Sequence, residues 1–383
     1  MLTAILFASS LLCGCGGGGS STCGIICGGS GGPTTIAATP TITPSTGNGA
    51  QNGAVIVNLA TTTANATIYY TLDGTTPTTS SQQYLAPILV ASNLTVNAIA
   101  TAAGDTNSSV ATQKFAPAIP SGTLVWSDEF SNSTTANAQP NPATWTYDIG
   151  TNCCGNNELE TYCAWASTAG PCNPSSPNAF VGTDGALHIV ARQPTAGVAT
   201  YTSARLKSQG LFSFQYGRIE AKMTLPESQG MWPAFWLLGD NIPVNPWPAC
   251  GELDVMEHID GTNTPFGGPG RGALPGYDWV QSSIHGTNLN GGQPYTTAGF
   301  SAATWHTYGM IWTKGQIQFY VDDPTKIYET FTPATQTGTW PFDTGPEFIL
   351  LNLAVGGDWP GSPNSTTVFP AQMLVDYVRI YAN

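Results

Sequence analysis

The sequence predicts an all-β protein with two β-sandwich domains, a small one followed by a larger jelly roll. Two observations support this class. Runs of β-branched and aromatic residues recur along the chain without a long helical period. Turn-forming residues separate these runs, and the chain contains 44 glycines and 29 prolines. A chain of 383 residues is long enough for one large domain and a smaller one.

The N-terminal segment predicts a targeting signal. Residues 2–12 are largely apolar but too short to span a bilayer. The LCGC motif that follows ends at Cys15 and resembles a bacterial lipoprotein signal. We expect residues 1–15 to be this signal, with a lipid on Cys15 as the membrane anchor, and an ordinary secretory signal is the alternative. Both alternatives predict an extracytoplasmic protein, either lipid-anchored to a bacterial membrane or secreted.

The next segments predict a tether and the small domain. Residues 16–33 are rich in Gly, Ser and Cys, a composition typical of a flexible tether. Residues 34–117 contain short strand patterns, for example at 66–74 and 94–100, separated by Gly, Asn and Pro. This spacing predicts a small immunoglobulin- or fibronectin-like β-sandwich. Residues 118–122 follow as a linker.

Residues 123–383 predict the larger domain. Residues 312–322 read WTKGQIQFYVD, which predicts two alternating strands joined by a Lys-Gly turn. Many further β-branched and aromatic runs accompany this hairpin. The pattern fits two packed, curved antiparallel sheets, the arrangement of a jelly roll.

The segment 250–258 reads CGELDVMEH and concentrates acidic residues. Three carboxylates, those of Glu252, Asp254 and Glu257, fall within six residues, although only 9% of the chain is charged. A typical globular chain carries roughly 25% charged residues. Burying neighbouring carboxylates costs free energy unless they are paired, protonated or used. The segment therefore predicts an active site in which two acids have different tasks.

The spacing of these acids predicts a bulged strand. In a regular strand Glu252 and Asp254 point to one face, whereas Glu257 points to the other. One extra residue around Val255 and Met256 would bring Glu257 back to the same face. The two glutamates then lie roughly 13 Å apart along the backbone, at about 3.3 Å per residue. On a concave sheet their side chains lean together, toward the separation of about 5–5.5 Å that a retaining glycosidase needs.

Aromatic residues surround the acidic segment. The run GMWPAFW at 230–236 lies just upstream, in a chain with 11 Trp, 14 Tyr and 14 Phe. Trp232 and Trp236 are four residues apart, so a strand presents both on one face. An indole ring offers a flat apolar face that can stack on a sugar, and one polar N–H group. We therefore expect at least one of these two residues to line a cleft.

At this point the sequence resembles a known family. Residues from about 124 to 381 resemble a family-sixteen glycoside hydrolase, and within it the bacterial laminarinases, which are endo-β-1,3-glucanases. The bulged E-x-D-x-x-E form is typical of laminarinases and agarases. The resemblance implies a concanavalin-like jelly roll with a cleft on its concave face. It is carried by LVWSDEF at 124–130, GNNEL at 155–159, YGRIEA at 216–221, AVGGDWPG at 354–361 and MLVDYVRIY at 373–381. Upstream, YYTLDGTTPT at 69–78 resembles the fibronectin-like module at the C-terminus of chitobiases, which usually acts as a spacer, with glycan binding as the alternative role.

The resemblance implies a role for each acid. Glu252 would be the nucleophile that forms a covalent glycosyl-enzyme. Glu257 would protonate the leaving oxygen and then deprotonate the incoming water. Asp254 would hold the orientation of Glu252 through a hydrogen bond. The implied reaction is hydrolysis of β-1,3-glucosidic bonds in laminarin-type glucan with retention of configuration.

Further positions match the family's substrate and metal sites. His285, Asn156 and Arg205 match positions that contact the sugar, beside Trp232 and Trp236. The side chains of Glu129 and Asp376 and the carbonyl of Gly185 match a structural calcium site, and oxygen ligands distant in sequence suit Ca²⁺. No cofactor is expected for catalysis.

The charge of the chain limits its partners. The formal net charge is −13, which excludes nucleic acid because phosphate binding needs a basic patch. The same charge disfavours sulfated or uronic polysaccharides, whereas a neutral β-glucan raises no conflict. A monomer is expected, with the membrane contacted only through the lipid on Cys15.

The cysteines predict two disulfides in one loop region. Cys153, Cys154, Cys163 and Cys172 are close in sequence, and three pairings are open. Adjacent cysteines strain the bond geometry, so we do not expect Cys153 to pair with Cys154. Cys250 is then expected to be a free, buried thiol.

Several alternatives stay open at this stage. The same scaffold acts on agarose, porphyran or mixed-linkage β-glucan in other members of the family. A glucan-binding protein without turnover is a second class, although such relatives lose the glutamates that are present here. An anchored structural or adhesive protein is a third class. The Gly- and Pro-rich insertion at 262–277 could reshape one end of the cleft.

Overall fold

The computed structural model describes residues 35–131, 134–151, 155–195, 197–259 and 278–383. The predicted signal at 1–15, the tether at 16–33, and the insertion at 262–277 lie outside these ranges. Cys153 and Cys154 do so as well. Among the described residues, no helix is long and apolar enough to cross a membrane.

The first seven strands form the N-terminal domain, which we call the module. Their bounds are β1 Thr41–Ser45, β2 Val55–Ala60, β3 Thr67–Thr71, β4 Gln82–Gln83, β5 Ile88–Val90, β6 Leu94–Thr101 and β7 Ala111–Phe115. Strands β4, β3, β6 and β7 make one sheet, and β1, β2 and β5 face it. The apolar side chains between these two layers include Val57, Ile68, Val90 and Val96, all of them buried. The prediction of a small β-sandwich is confirmed.

The remaining strands form the larger domain. They are β8 Leu124–Asp128, β9 Thr146–Asp148, β10 Gly150–Thr151, β11 Glu160–Tyr162, β12 Ala179–Val181, β13 Leu187–Ala191, β14 Tyr201–Ser203, β15 Arg205–Lys207, β16 Ser213–Phe214, β17 Gly217–Thr224, β18 Met231–Gly239, β19 Glu252–Glu257, β20 Val280–Gly286, β21 Leu289–Tyr295, β22 His306–Thr313, β23 Gln316–Val321, β24 Ile327–Phe331, β25 Glu347–Val355 and β26 Ala371–Tyr381. The strands β22 and β23 pair as a hairpin, as predicted.

Two large sheets pack against each other in this domain. One runs β12-β13-β26-β17-β22-β23-β24, with β8 beside β26. The other contains β16-β25-β18-β19-β20-β21, with β15 paired to β25 and β9 paired to β15. We call the second one the site sheet. A single apolar core fills the space between them, with Trp312, Met256 and Leu351 almost fully buried. The all-β jelly roll predicted from the sequence is confirmed.

The module and the larger domain share one sheet. Strand β5 pairs in parallel with β16, so that β1, β2 and β5 extend the site sheet. Ala54, Ile56 and Leu89 of the module lie in the core of the larger domain. The predicted linker at 118–122 is itself held, because the Gly122 amide donates to the Ala382 carbonyl at 2.8 Å. The module therefore packs as a continuation of the larger domain and not as a separate spacer.

One disulfide lies in the predicted loop region. Cys163 is bonded to Cys172, with their Cα atoms 5.7 Å apart. The two pairings that join either of these residues to Cys153 or Cys154 are therefore wrong. Cys250 is a free, buried thiol, as predicted.

Candidate active site

The acidic segment forms the bulged strand β19 in the site sheet. Against β18, Phe235 is opposite Met256 and Trp236 is opposite Asp254, so Val255 is the extra residue. The same irregularity appears against β20 between Asp254 and Glu257. The bulge that the sequence predicts around Val255 and Met256 is confirmed. It allows Val255 and Met256 both to contribute to the core between the sheets.

The bulge places the three acids on the outer face of the site sheet. Glu252, Asp254 and Glu257 lie opposite Leu238, Trp236 and Ala234, which are alternate residues of β18 and share one face. Asp254 is buried, whereas Glu252 and Glu257 are half-buried. This face turns away from the main core, so the two glutamates are accessible to a ligand while the aspartate between them is not.

Each acid has a distinct hydrogen-bond partner. The Trp247 indole N–H donates to Glu252 Oε2 at 2.7 Å, and the Trp232 indole N–H donates to Glu257 Oε1 at 3.0 Å. Asp254 is hydrogen-bonded to Glu252. His285, opposite Glu252 on β20, places its Nε2 atom 3.1 Å from Asp254 Oδ2. Glu252 and Glu257 thus each accept a hydrogen bond from an indole N–H. Asp254 lies between Glu252 and His285 and contacts both.

Burial controls the protonation of this cluster. It raises the pKa of Glu252 to about 8, and the neighbouring Asp254 adds to the rise. Burial likewise raises the pKa of Asp254 to about 8, against the effect of its hydrogen bond with Glu252. The pKa of Glu257 rises well above its ordinary range, again through burial and then through Asp254. Three close, desolvated carboxyls cannot all be ionised, so the cluster retains protons at neutral pH.

Glu252, Asp254 and His285 also meet the geometric criterion for a metal site. Their ligand atoms lie within 4.8 Å of one another, and no other such group of His, Cys, Asp and Glu occurs in the described ranges. Each of the three side chains already has a partner in the protein: the Trp247 N–H donates to Glu252, and His285 Nε2 lies 3.1 Å from Asp254 Oδ2. Contacts among protein side chains therefore account for the cluster.

Trp232 lies in an aromatic cluster beside Glu257. Its ring packs edge-to-face on Trp359, with centroids 5.4 Å apart, and Trp359 in turn contacts Trp279 at 6.0 Å. Trp232 is half-buried, so part of its ring stays accessible next to the acid to which it donates. Trp232 therefore borders Glu257, and the prediction that at least one of the two tryptophans lines a cleft stays a prediction.

Trp236 lies beneath Arg205 and is nearly covered. The Arg205 guanidinium lies 4.5 Å from the centroid of the ring, and the indole N–H donates to Asn352 Oδ1 at 2.7 Å. Arg205 is held from the other side by Asp148, whose Oδ2 atom is 2.9 Å from Nε. A ligand on this side would therefore contact Arg205, because Arg205 covers the ring of Trp236.

Asn156 lies beside the tryptophan cluster. Its carbonyl accepts from the Asp358 amide at 2.9 Å, which fixes the 155–159 loop against the turn that carries Trp359. A Cβ on Gly357 would lie 3.0 Å from the Asn156 carbonyl oxygen and 3.5 Å from Trp232. The glycine at 357 therefore permits the close approach of the loop to Trp232. The Asn156 side chain is exposed and reaches Glu158 at 3.4 Å.

Three residues near the acids were missed by the sequence analysis. Trp247 contacts Glu252 directly, Trp359 packs on Trp232, and Asn352 anchors Trp236. Trp359 lies within the AVGGDWPG motif and Trp247 five residues before Glu252, so both had a signal in the sequence. Asn352 had none, because its position in the buried strand β25 gives no indication of its partner.

The predicted calcium ligands come together around one part of β26. Glu129 directly follows β8 and Gly185 precedes β13, and both strands pair with β26, which carries Asp376. Each carboxylate is also engaged by a basic side chain. Arg379 donates twice to Glu129, at 2.9 and 2.7 Å, and Lys222 donates to Asp376 at 2.8 Å. A cation at this position has to displace these two partners.

Comparison with known proteins agrees with the fold. Residues 175–379 match the model of glycosyl hydrolases family 16, and residues 46–112 match the chitobiase/β-hexosaminidase C-terminal domain. A β-glucanase from Rhodothermus marinus is 36% identical over 275 residues, which cover 67% of this chain and 84% of the relative.

Solved structures give the same assignment. The laminarinase from Rhodothermus marinus has 35% identity and a TM-score of 0.54, over 68% of this chain and 97% of that one. The laminarinase catalytic domain from Thermotoga maritima has 32% identity and a TM-score of 0.54, over 69% and 99% respectively. With these similarities and the three acids on one strand face, the chain belongs to the family 16 glycosyl hydrolases and is a glycoside hydrolase of the β-glucanase type.

Proposed function

We propose that the protein hydrolyses internal β-1,3-glucosidic bonds of laminarin-type glucans by double displacement, with retention of anomeric configuration. The observation that carries the proposal is the bulge of β19, which places Glu252, Asp254 and Glu257 on one accessible face. Two carboxyls of unequal environment on one face are what a retaining mechanism requires.

In the first step Glu252 attacks the anomeric carbon while Glu257 protonates the departing glycosidic oxygen. The pKa of Glu257, held well above its ordinary range by burial, keeps that proton in place at neutral pH. The Trp247 indole N–H favours the ionised form of Glu252 and so opposes the effect of burial on the nucleophile. The result is a glycosyl ester on Glu252 and a released sugar chain.

In the second step Glu257, now ionised, removes a proton from water, and the water oxygen attacks the anomeric carbon. Glu252 leaves as a carboxylate, and Glu257 has regained its proton. Asp254 orients Glu252 through their hydrogen bond, while His285 lies 3.1 Å from Asp254. Trp232, Arg205 and His285 are the groups that would contact the sugar beside these acids, with Asn156 next to Trp232.

The test is release of reducing ends from soluble β-1,3-glucan, with agarose, porphyran and mixed-linkage glucan in parallel. Release from β-1,3-glucan, with the β-anomer as the first product by NMR, supports the proposal. An α-anomer as the first product contradicts double displacement. Release only from another polymer replaces the substrate and keeps the mechanism, and binding without release from any polymer indicates a glucan-binding protein.

We also propose a structural calcium ion bound by Glu129, Gly185 and Asp376. Their position around β26 supports it, because one ion there would tie β8, β26 and β13 together. Calcium should raise Tm by several degrees over a chelator-treated sample, and Asp376→Asn should abolish the difference. Equal Tm values in calcium and chelator would contradict this site.

The extracytoplasmic location, the lipid on Cys15 and the monomeric state also stand as proposals. Fractionation of the source cells should place the full-length protein with the membranes, and Cys15→Ser should release it. A protein that stays in the membrane fraction after this change is not anchored through Cys15. Light scattering of the purified protein tests the monomer.

A further inference from the structure

A deep groove separates the module from the larger domain. It encloses about 1260 Å³ and is lined from three sides. Tyr69, Gln83 and Asn93 line it from the module, and Tyr216 and Asp343 line it from the larger domain. The third side is the loop between β18 and β19, residues 240–251, which we call the site loop. This volume exceeds the roughly 300–1,000 Å³ typical of small-molecule pockets, so the groove suits an oligomer more than a single sugar.

The shape of the groove is fixed by hydrogen bonds between the two domains. Strand β5 pairs with β16, and the Ser213 amide donates to the Pro87 carbonyl at 2.9 Å. On the opposite side, a Cβ on Gly345 would lie 2.8 Å from Gln82 Cδ, so the two walls touch at this point. Walls joined in this way form a pre-organised cavity, which lowers the entropic cost of binding.

The lining is close to neutral. Its charged side chains are Asp73, Lys314 and Asp343. Asp73 accepts from both the amide and the hydroxyl of Thr75, and Asp343 accepts from the Gly315 amide and the Tyr216 hydroxyl. Both carboxylates are thus engaged within the protein, and Lys314 offsets one of them. A polyanion has no attraction to such a surface in a chain of net charge −13.

The uncharged lining groups suit a polyhydroxylated ligand. Gln83, Asn93 and Asn245 supply amides, each able both to donate and to accept hydrogen bonds. Tyr69 and Tyr216 are half-buried and supply flat rings with polar ends. Tyr216 has a φ of 64°, a conformation that costs free energy for a tyrosine and is concentrated at functional positions.

The groove and the active site lie on opposite sides of the site loop. Val244 and Asn245 face the groove, whereas Trp247, two residues later, donates to Glu252. The amides of Val244 and Asn245 both donate to the Asn241 carbonyl at 2.8 Å, so the loop has a fixed turn. A glycan held in the groove is therefore only a short loop away from the nucleophile.

We propose that this groove is a second binding site for a neutral oligosaccharide, separate from the acidic cluster, and that it holds a polysaccharide near the active site. The class of ligand follows from the lining. The choice of a β-1,3-glucan as its first probe rests on the proposed function.

The binding test uses the full chain with Glu252→Gln, in which turnover is blocked. Calorimetric titration with a β-1,3-linked glucose hexasaccharide should reveal two binding events. Adding Tyr69→Ala should weaken one of them at least about tenfold and leave the other unchanged. Trp305→Ala removes an exposed ring just before β22, outside the lining of the groove, and is the matched control, with both events retained. A single event in Glu252→Gln, or equal titrations for Tyr69→Ala and Trp305→Ala, overturns β-1,3-glucan as the ligand of the groove.

Activity gives an independent readout. Tyr69→Ala in the active enzyme should leave kcat/KM for a tetrasaccharide unchanged and lower the rate on long-chain glucan severalfold. Titrations with agaro-oligosaccharide and mixed-linkage oligosaccharide separate this proposal from the proposed function. If wild type cleaves one of these instead, the groove should bind that glycan. Absence of Tyr69-dependent binding for all three glycans overturns the groove as a glycan site, whichever polymer is cleaved.

Discussion

Trp247 donates a 2.7 Å hydrogen bond to Glu252 although the residue is 56% exposed. An exposed tryptophan that reaches a half-buried carboxylate connects the solvent side of the site loop to the reacting group. Its ring is available to a sugar while its N–H group acts on the acid. This pairing makes Trp247 the residue through which we expect the site loop to influence catalysis.

Trp247→Phe keeps an aromatic ring and removes the donor. Because this N–H lowers the pKa of Glu252, its loss should raise that pKa. Glu252 must be ionised to attack, so the acidic limb of the profile of kcat/KM against pH should move to higher pH. A hydrogen bond to a charged group contributes about 1.5–3 kcal/mol, which predicts a rate loss of roughly 10- to 100-fold. An unmoved acidic limb would show that the bond does not tune the nucleophile, and Trp305→Phe is the control.

Glu257→Gln removes the acid and base and preserves the shape of the side chain. General acid–base catalysis contributes about 100- to 10,000-fold, so kcat on glucan should fall by that factor. An aryl glycoside with an acidic leaving group should lose far less in the first step. Azide, which attacks without a base, should then restore turnover and yield a β-glycosyl azide. Failure of azide to act would assign Glu257 another role, and Glu329→Gln in the opposite sheet should leave the rate unchanged.

Asn352→Leu tests how Trp236 is supported. The change leaves the buried Trp236 N–H without its acceptor, which should lower the free energy of unfolding by about 1–3 kcal/mol. In a Trp236→Phe background the same change should have a smaller effect, because the N–H is already gone. A double-mutant cycle from urea unfolding measures the difference. Purely additive effects would mean that the hydrogen bond does not contribute.

Leu89→Ala tests the union of the two domains. Leu89 belongs to the module but is buried in the core of the larger domain, so its truncation should cost about 2–5 kcal/mol. Calorimetry of wild type should give one unfolding transition, and Leu89→Ala should shift it as a whole to lower temperature. Two separable transitions, with only the first moved by Leu89→Ala, would show that the module unfolds independently.

Much of the site could be predicted from residues that are close together in the sequence. The alternation in residues 252–257 predicts the bulge because the period of a strand is two, and the acids 252 and 257 are out of phase without it. The hairpin at 312–322 follows from its own turn residues. These features depend on residues close together in the chain.

Long-range partners could not be obtained in the same way. The Asn352–Trp236 bond joins residues 116 positions apart, and the β5–β16 pairing joins short strands with no distinctive pattern. The pairing of Cys163 with Cys172 depends on the path of the loop that carries them. In each case the sequence around one partner carries no pattern that identifies the other partner.

The junction at β5 and β16 also determines where the site sheet ends. Without the module, β16 would be an edge strand with unpaired backbone N–H and C=O groups. Such an edge can pair with a strand from another molecule. With the module in place, the terminal strands of this sheet among the described residues are β1 on that side and β21 on the other. β1 carries Pro44 and β21 carries Pro294, and neither residue has an amide hydrogen to offer an incoming chain. The module thus places this edge of the sheet on a strand that contains a proline, a feature that disfavours pairing with a strand from another molecule.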